Sequence, residues 1–162
     1  MKKYLFLLLI TALLTGCTAE DTFETISDEL IQPVIAQPRF ICVDLPGETA
    51  LPVVENDHGR VYVCNDYEIV LQTVQSGDLA GTMEMMSGLT MEDLTVMQTQ
   101  TDDIERYEFV WAAVGEGGDR GGRGVILDDH NYHYCMSVLR STQSEEKSQI
   151  NWDDVFSSFC LA

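Results

Sequence analysis

Positive charge is scarce in this sequence of 162 residues. Nine Lys and Arg residues stand against 27 Asp and Glu residues, and the formal net charge is −18 at pH 7. Such a surface repels the phosphates of nucleic acids and anionic lipid headgroups. We therefore expect no nucleic-acid partner, and a basic patch cannot be what attaches the chain to a membrane.

Several motifs that carry chemistry are also missing. The sequence has no Gly-x-Ser-x-Gly nucleophile elbow, no phosphate loop ending in Gly-Lys-Ser/Thr and no Cys-x-x-Cys pair. The one cluster with metal-binding chemistry is His130 and His133 beside Asp128 and Asp129. These histidines lie in a turn that leads into a strand, where positions three apart point to opposite faces. We expect no catalytic residue, no metal and no cofactor.

Long apolar runs are missing as well, because a membrane-spanning helix needs about 20 residues. The apolar stretch from Leu5 to Leu14 (LFLLLITALL) is shorter and follows Lys2 and Lys3. A basic start, a short apolar core and small residues before a cut are typical of a secretory signal peptide. The sequence predicts a signal peptide over residues 1–16, cleaved between Gly16 and Cys17.

The segment Leu14-Thr15-Gly16-Cys17 resembles the lipobox of bacterial lipoproteins. In that family the cysteine sulfur receives a diacylglyceryl group, and a dedicated peptidase cuts just before the cysteine. The resemblance implies lipid on Cys17 and an extracytoplasmic protein, anchored to the outer face of the cell membrane or to an outer membrane if the organism has one. The alternative is an ordinary secreted protein in which Cys17 is a spare thiol.

Removal of the signal peptide leaves 146 of the 162 residues, enough for one domain. It also removes two of the nine basic residues, so seven remain against 27 acidic ones and the net charge becomes −20. Residues 17–38 are acidic at their start and contain Pro33 and Pro38 near their end, which predicts a lipid-anchored tether. Residues 39–162 are then a single globular domain.

Residue periodicity predicts the elements of this domain. Apolar alternation indicates strands over residues 39–45, 61–64, 67–74, 94–100, 104–114, 125–127 and 132–139. Helical spacing indicates a mid-chain helix from Leu79 to Met86 and a C-terminal helix that starts near Ser144 and presents Trp152 and Phe156. Residues 115–124 (GEGGDRGGRG) are predicted to form a loop. We expect an α+β fold, with a single antiparallel sheet and both helices packed against it.

The Tyr-rich strand over residues 132–139, followed by a helix ending Phe156-Ser157-Ser158-Phe159, resembles the PsbP-like fold of several small lipoproteins. The resemblance covers residues 67–162. It implies a domain that docks onto larger assemblies. It also implies that the protein is not an enzyme, because family members of this kind are mostly not enzymes. It assigns no role to any residue of this chain.

Five cysteines are an odd number, and lipid on Cys17 leaves four that can pair in an oxidising compartment. Four cysteines allow three pairings. We expect Cys42–Cys64, which flank the first hairpin, and Cys135–Cys160, because the predicted C-terminal helix covers the strand of Cys135. The alternative is that some remain reduced and buried as small apolar residues.

Arg120 and Arg123 are a close basic pair in a very acidic molecule, and we expect any contact with an anionic partner there. Taken together, the sequence predicts a non-enzymatic, lipid-anchored envelope protein that binds a protein or another envelope component, with the partner unknown. The alternative is a small-molecule or metal-binding lipoprotein that assists transport. An exposed apolar patch would favour the first function and a concave pocket the second.

Overall fold

The computed structural model describes residues 36–47, 49, 51–64, 66–115, 118–141 and 150–162. Ala36–Ala162 belong to one compact unit. The predicted signal peptide, Cys17 and most of the predicted tether lie outside the described residues, as does Ser144. The domain boundaries at residues 17 and 39 therefore stay predictions.

Strands dominate the described chain. They are β1 (Ile41–Cys42), β2 (Val54–Asn56), β3 (Gly59–Val63), β4 (Tyr67–Gln75), β5 (Thr95–Thr101), β6 (Ile104–Gly115), β7 (Gly118–Asp128), β8 (Tyr132–Ser141) and β9 (Cys160–Leu161). The helices are α1 (Leu79–Ser87) and α2 (Trp152–Ser158), with a 3-10 turn over Met91–Asp93. Seven strands form one antiparallel sheet in the order β2–β3–β4–β8–β7–β6–β5, and β1 pairs with β9 in a separate two-stranded ribbon.

Each face of the main sheet has its own core. On the face covered by α2 and the β1–β9 ribbon, called here the α2 face, the buried side chains include Tyr62, Ile69, Leu71, Val125, Tyr134, Met136, Val155, Phe156 and Phe159. On the opposite face, called the α1 face, Met83 of α1 packs with Tyr107, Phe109, Trp111, Ile126 and Cys135. Neighbouring residues of one strand alternate between these cores, as the period of a strand requires.

Short polar side chains fix the hairpin turns. The Asn56 carboxamide oxygen accepts hydrogen bonds from the backbone N–H groups of His58 and Gly59 at 2.8 and 2.9 Å. Between β7 and β8, Asp128 accepts from the His130 N–H at 2.7 Å, and His130 adopts a left-handed φ of 69°. The turn that the sequence predicts at the His130 cluster is therefore confirmed, and the turn at residues 56–59 is held in the same way.

The prediction of a loop over residues 115–124 is wrong, because most of this segment belongs to β7. Gly122 stands opposite Trp111 and Gly124 opposite Phe109 in the β6–β7 register. A Cβ at Gly122 would lie 2.1 Å from the Trp111 ring, and one at Gly124 would lie 2.7 Å from the Phe109 ring. Because glycine has no side chain, these two positions leave room for the aromatic rings. The glycines of β7 therefore allow close packing and do not form a turn.

The prediction of an α+β fold with a single sheet is also wrong. The structure is mostly β, with a seven-stranded antiparallel sheet and a second sheet of two strands. The described helices span only nine and seven residues. They contact the main sheet without forming a layer that extends across it.

Two neighbouring glycines allow a direct test of the packing of β7. Gly122→Ala should reduce the free energy of unfolding by about 2 kcal/mol, because the added methyl group must displace the Trp111 ring. Gly121→Ala is the matched control, since a Cβ there meets nothing within 4 Å, and it should change stability by less than about 0.5 kcal/mol. Urea unfolding measures both variants. Equal losses in the free energy of unfolding would show that Gly122 is not required to make room for the Trp111 ring.

Candidate functional site

Four valines of β2, β3 and β4 lie together on the α1 face, where Val54 and Val63 are exposed and Val61 and Val70 are partly buried. Val54 pairs with Val61, and Val61 pairs with Val70, so the three side chains share one face, with Val63 two positions along β3. Val54 and Val63 are each 50% exposed. Helix α1 packs mainly on β7 and β8, and it reaches β4 at Gln72, whose side-chain amide contacts the sulfur of Met85. We call the four valines the valine strip.

A charged pair borders the valine strip. Glu68 lies opposite Val63 in the β3–β4 register, and its carboxylate is 3.6 Å from the guanidinium of Arg120. Both side chains are more than one-third exposed. Arg120, predicted from the sequence to contact a partner, therefore lies beside an exposed apolar surface, while its contact with a partner stays a prediction.

Arg123 lies on the opposite face and makes internal contacts. Its guanidinium is 2.6 Å from Asp153 and 3.0 Å from Glu108, and it stacks 4.2 Å above the ring of Phe156. The structure thus separates the two arginines that the sequence placed in one contact site. Arg123 holds α2 against the sheet, and a contact of Arg123 with a partner stays a prediction.

Glu108 links this network to the neighbouring arginine. Its carboxylate lies 2.8 Å from Arg106, which also donates to the carbonyls of Phe156 and Phe159 at 2.7 and 3.1 Å. Burial alone would raise the pKa of Glu108, but hydrogen bonds from Arg106 and Arg123 outweigh it and lower the pKa below its ordinary value. Glu108 is therefore held charged at the base of α2.

His133 is part of a buried polar row between the sheet and α1. Its Nδ1 lies 2.8 Å from the hydroxyl of Thr82, and its Nε2 lies 3.5 Å from the carboxylate of Asp128. A hydroxyl, an imidazole and a carboxylate are also the components of a catalytic triad. Here His133 and Thr82 are only 1% and 6% exposed, so a substrate cannot reach the hydroxyl and the row joins α1 to β7 and β8.

A cavity of about 310 Å³ lies where the segment before β1 meets the β2–β3 turn. Its walls include Phe40, His58, Arg60 and Gln72. This volume is at the lower end of the range for small-molecule sites. Phe40 is 81% exposed, so the cavity offers one large apolar surface at its edge.

None of Cys42, Cys64, Cys135 and Cys160 is bonded to another in this structure, so the positions of the four side chains decide whether the expected pairs can form. Cys135 is buried in the α1-face core, and burial raises the pKa of its thiol to about 12. Cys160 belongs to the ribbon on the other face of the sheet, so the expected Cys135–Cys160 pair is wrong. Cys64 packs partly buried against the α2-face core, whereas Cys42 is exposed, and the expected Cys42–Cys64 pair is not supported.

No group of three or more His, Cys, Asp or Glu side chains in the described part of the chain could hold a metal ion. His130 is exposed and His133 is buried, so the two histidines of the candidate metal-binding cluster do not share one site.

None of the described helices has the length and apolar character needed to cross a membrane.

Residues 1–18 match the family model of the prokaryotic membrane lipoprotein lipid attachment site. The protein is therefore a lipid-anchored, extracytoplasmic bacterial lipoprotein on the outer face of a membrane. The match covers the predicted lipobox, and attachment at Cys17 in particular stays a prediction. No curated protein matches the chain significantly.

The lipid attachment residue is tested by Cys17→Ser. The variant should lose incorporation of an alkynyl palmitate analogue completely, because the thioether cannot form without the sulfur. Cys64→Ser is the matched control and should label like the wild type. Gel fluorescence after metabolic labelling measures both, and labelling of the Cys17→Ser chain would place the lipid elsewhere.

The charge on Glu108 predicts a pH-dependent contribution to stability. Glu108→Gln should cost about 2 kcal/mol at pH 7, since it removes a charged acceptor from two guanidinium groups. The pKa of Glu108 is lowered in the folded state, so its contribution is complete above the unfolded pKa and disappears as the pH falls through the folded pKa. The difference between variant and wild type should therefore shrink at pH 3.

Asp153→Asn is the control for this measurement. Asp153 pairs with the same Arg123 but is 83% exposed, so the substitution should change the free energy of unfolding by less than about 0.5 kcal/mol. Urea unfolding at both pH values measures the effect. A Glu108→Gln penalty that is the same at pH 3 and pH 7 would contradict the role assigned to the charge.

Proposed function

We propose that this lipoprotein is a non-enzymatic binding domain that holds another envelope protein through the valine strip. The observation that carries the proposal is an apolar surface on a very acidic chain. Val54 and Val63 are half-exposed although the residues behind them, Tyr62 and Ile69, are fully packed. A contiguous apolar surface with a polar rim is typical of a protein contact.

The chemistry of the surface describes the partner. Complete burial of a valine side chain stabilises a complex by about 1.5 kcal/mol or more, so the strip requires an apolar counterpart. Charge complementarity requires basic residues around that counterpart, because the mature chain carries a strongly negative charge. Arg120 and Glu68 at the rim can exchange their mutual ion pair for contacts with the partner.

The proposal excludes catalysis. The Thr82 hydroxyl and the His133 ring are buried, and the sequence has no Gly-x-Ser-x-Gly nucleophile elbow. The charged groups on the α2 face hold a helix in place. Their hydrogen bonds are satisfied by the protein itself.

The proposal does not depend on the resemblance to PsbP-like domains. That resemblance was based on a strand and a helix within an α+β layout, and the structure is mostly β. Docking onto a larger assembly, which the resemblance implied, is kept here only because the valine strip supports it.

The alternative function is binding of a small molecule in the cavity beside Phe40, which a volume of about 310 Å³ permits. A ligand in that cavity raises the melting temperature by mass action. Val63, at the far end of the valine strip, is not among the residues that line the cavity. The two functions are therefore separated by substitutions at Val63 and at Phe40.

The binding function is tested with a photo-crosslinking amino acid at position 63 of the full-length lipoprotein in its own envelope. The same amino acid at position 110 is the matched control, because Val110 is also an exposed valine, at 60%, but lies on the α2 face. Irradiation should give one discrete higher-mass product from position 63 and none from position 110.

Additional substitutions show whether the product depends on the strip. Val54→Lys should reduce the yield at position 63 about ten-fold, since it places a charge in an apolar contact. Met97→Lys, on distant strand β5, should leave the yield unchanged. Equal products at positions 63 and 110, or a yield unaffected by Val54→Lys, would exclude the strip as the contact surface.

A further inference from the structure

The β1–β9 ribbon joins the beginning of the described chain to its end. Ile41 pairs with Leu161, and Cys42 pairs with Cys160 in antiparallel register. The Ala162 N–H donates to the Phe40 carbonyl at 2.9 Å. Two residues from each end therefore fix the position of the segment that leads from the lipid anchor into the domain.

The ribbon has an inner and an outer face. Ile41 and Leu161 are directed inward and pack against the α2-face core. Successive residues of a strand point to opposite faces, so Cys42 and Cys160 share the outer face. Both are exposed, and no described residue separates them in the register.

The hydrogen-bonding pattern gives the spacing of the two cysteines. Phe40 and Ala162 are a hydrogen-bonded pair, and antiparallel pairs alternate between hydrogen-bonded and non-hydrogen-bonded. Cys42 and Cys160, two positions further along, are therefore again a hydrogen-bonded pair, for which the Cα atoms are about 5.5 Å apart. This separation lies within the usual range of disulfides, about 4.4 to 6.8 Å.

We infer that Cys42 and Cys160 form a disulfide that covalently closes the ribbon once the protein is outside the cytoplasm. The required oxidant is an extracytoplasmic disulfide, either that of a thiol oxidase or the oxidised form of a small thiol compound. The Cys42 thiolate attacks that disulfide and releases one thiol, and the Cys160 thiolate then attacks the Cys42 sulfur and releases the second. Two electrons pass to the oxidant, and its two thiols take up the two protons.

The other two thiols do not compete for this bond. Cys135 has an exposed fraction of 0% in the α1-face core, and Cys64 is partly buried against the other core. The inference rests on the extracytoplasmic location and on the register of the ribbon. It is independent of the valine strip and of any partner.

Tryptic digestion distinguishes the possible pairings, because each of the four cysteines falls in a different peptide. In full-length protein from the membrane fraction, alkylated without reductant, residues 40–60 should be joined to residues 148–162. The mass of the joined product is the sum of both peptides less two hydrogens. A linked product that contains residues 61–106 or 124–140, or no linked product at all, overturns the inference.

Thiol counts on the denatured, non-reduced chain give an independent reading. Cys17 is not counted, because the predicted lipid occupies its sulfur. Two thiols, those of Cys64 and Cys135, should react in the wild type, and Cys42→Ser or Cys160→Ser should raise the number to three. Cys64→Ser, the matched control, should lower it to one. Reduction should lower the melting temperature of the wild type by about 10 °C, as expected when a long closed loop is opened. An equal shift in the Cys42→Ser/Cys160→Ser double variant would contradict the inference.

Discussion

The main sheet is wider than the helices that lie on it. The ribbon on the α2 face and the exposed valines on the α1 face both follow from that mismatch. Seven strands at about 4.8 Å spacing give a sheet about 29 Å wide, whereas a helix with its side chains is about 10 Å across. On the α2 face, the β1–β9 ribbon and the segment after β1, with Val43 and Leu45, supply the missing cover. On the α1 face, helix α1 packs mainly on β7 and β8, and Val54 and Val63 of the valine strip remain half-exposed.

The stability of the α2 face depends on charged groups as well as on apolar burial. Helix α2 has seven residues, too few to be stable alone. Arg106 donates to carbonyls at its C-terminal end, where a helix leaves acceptors unsatisfied and its dipole is negative. Glu108 holds Arg106 and Arg123 in place, and Arg123 covers the ring of Phe156. The network therefore acts as part of the core.

Local sequence patterns predicted β4, β5, β6, β8 and α1 closely, but not β2, β9 or most of β7. The predicted strand over residues 104–114 matches β6 to within one residue, and the predicted helix from Leu79 to Met86 matches α1 to within one residue. The glycines of β7 were misread because their purpose lies in the aromatic rings of the neighbouring strand, which no local pattern reveals. The valine strip was missed for the same reason, since its members come from three strands and become neighbours only through the register.

The cysteines show why sequence separation is a weak guide to covalent pairing. Cys42 and Cys160 are almost as far apart as two residues of the domain can be, but one ribbon places them side by side. Cys135 lies close to Cys160 in sequence, and the full thickness of the sheet separates their environments. The predicted lipid on Cys17 and the inferred Cys42–Cys160 bond would together account for the odd cysteine count, since Cys135 is buried in the α1-face core and Cys64 is partly buried against the other core. Since the ribbon is also the cover that the short α2 cannot provide, the inferred bond across it would stabilise that cover next to the segment through which the chain enters the domain.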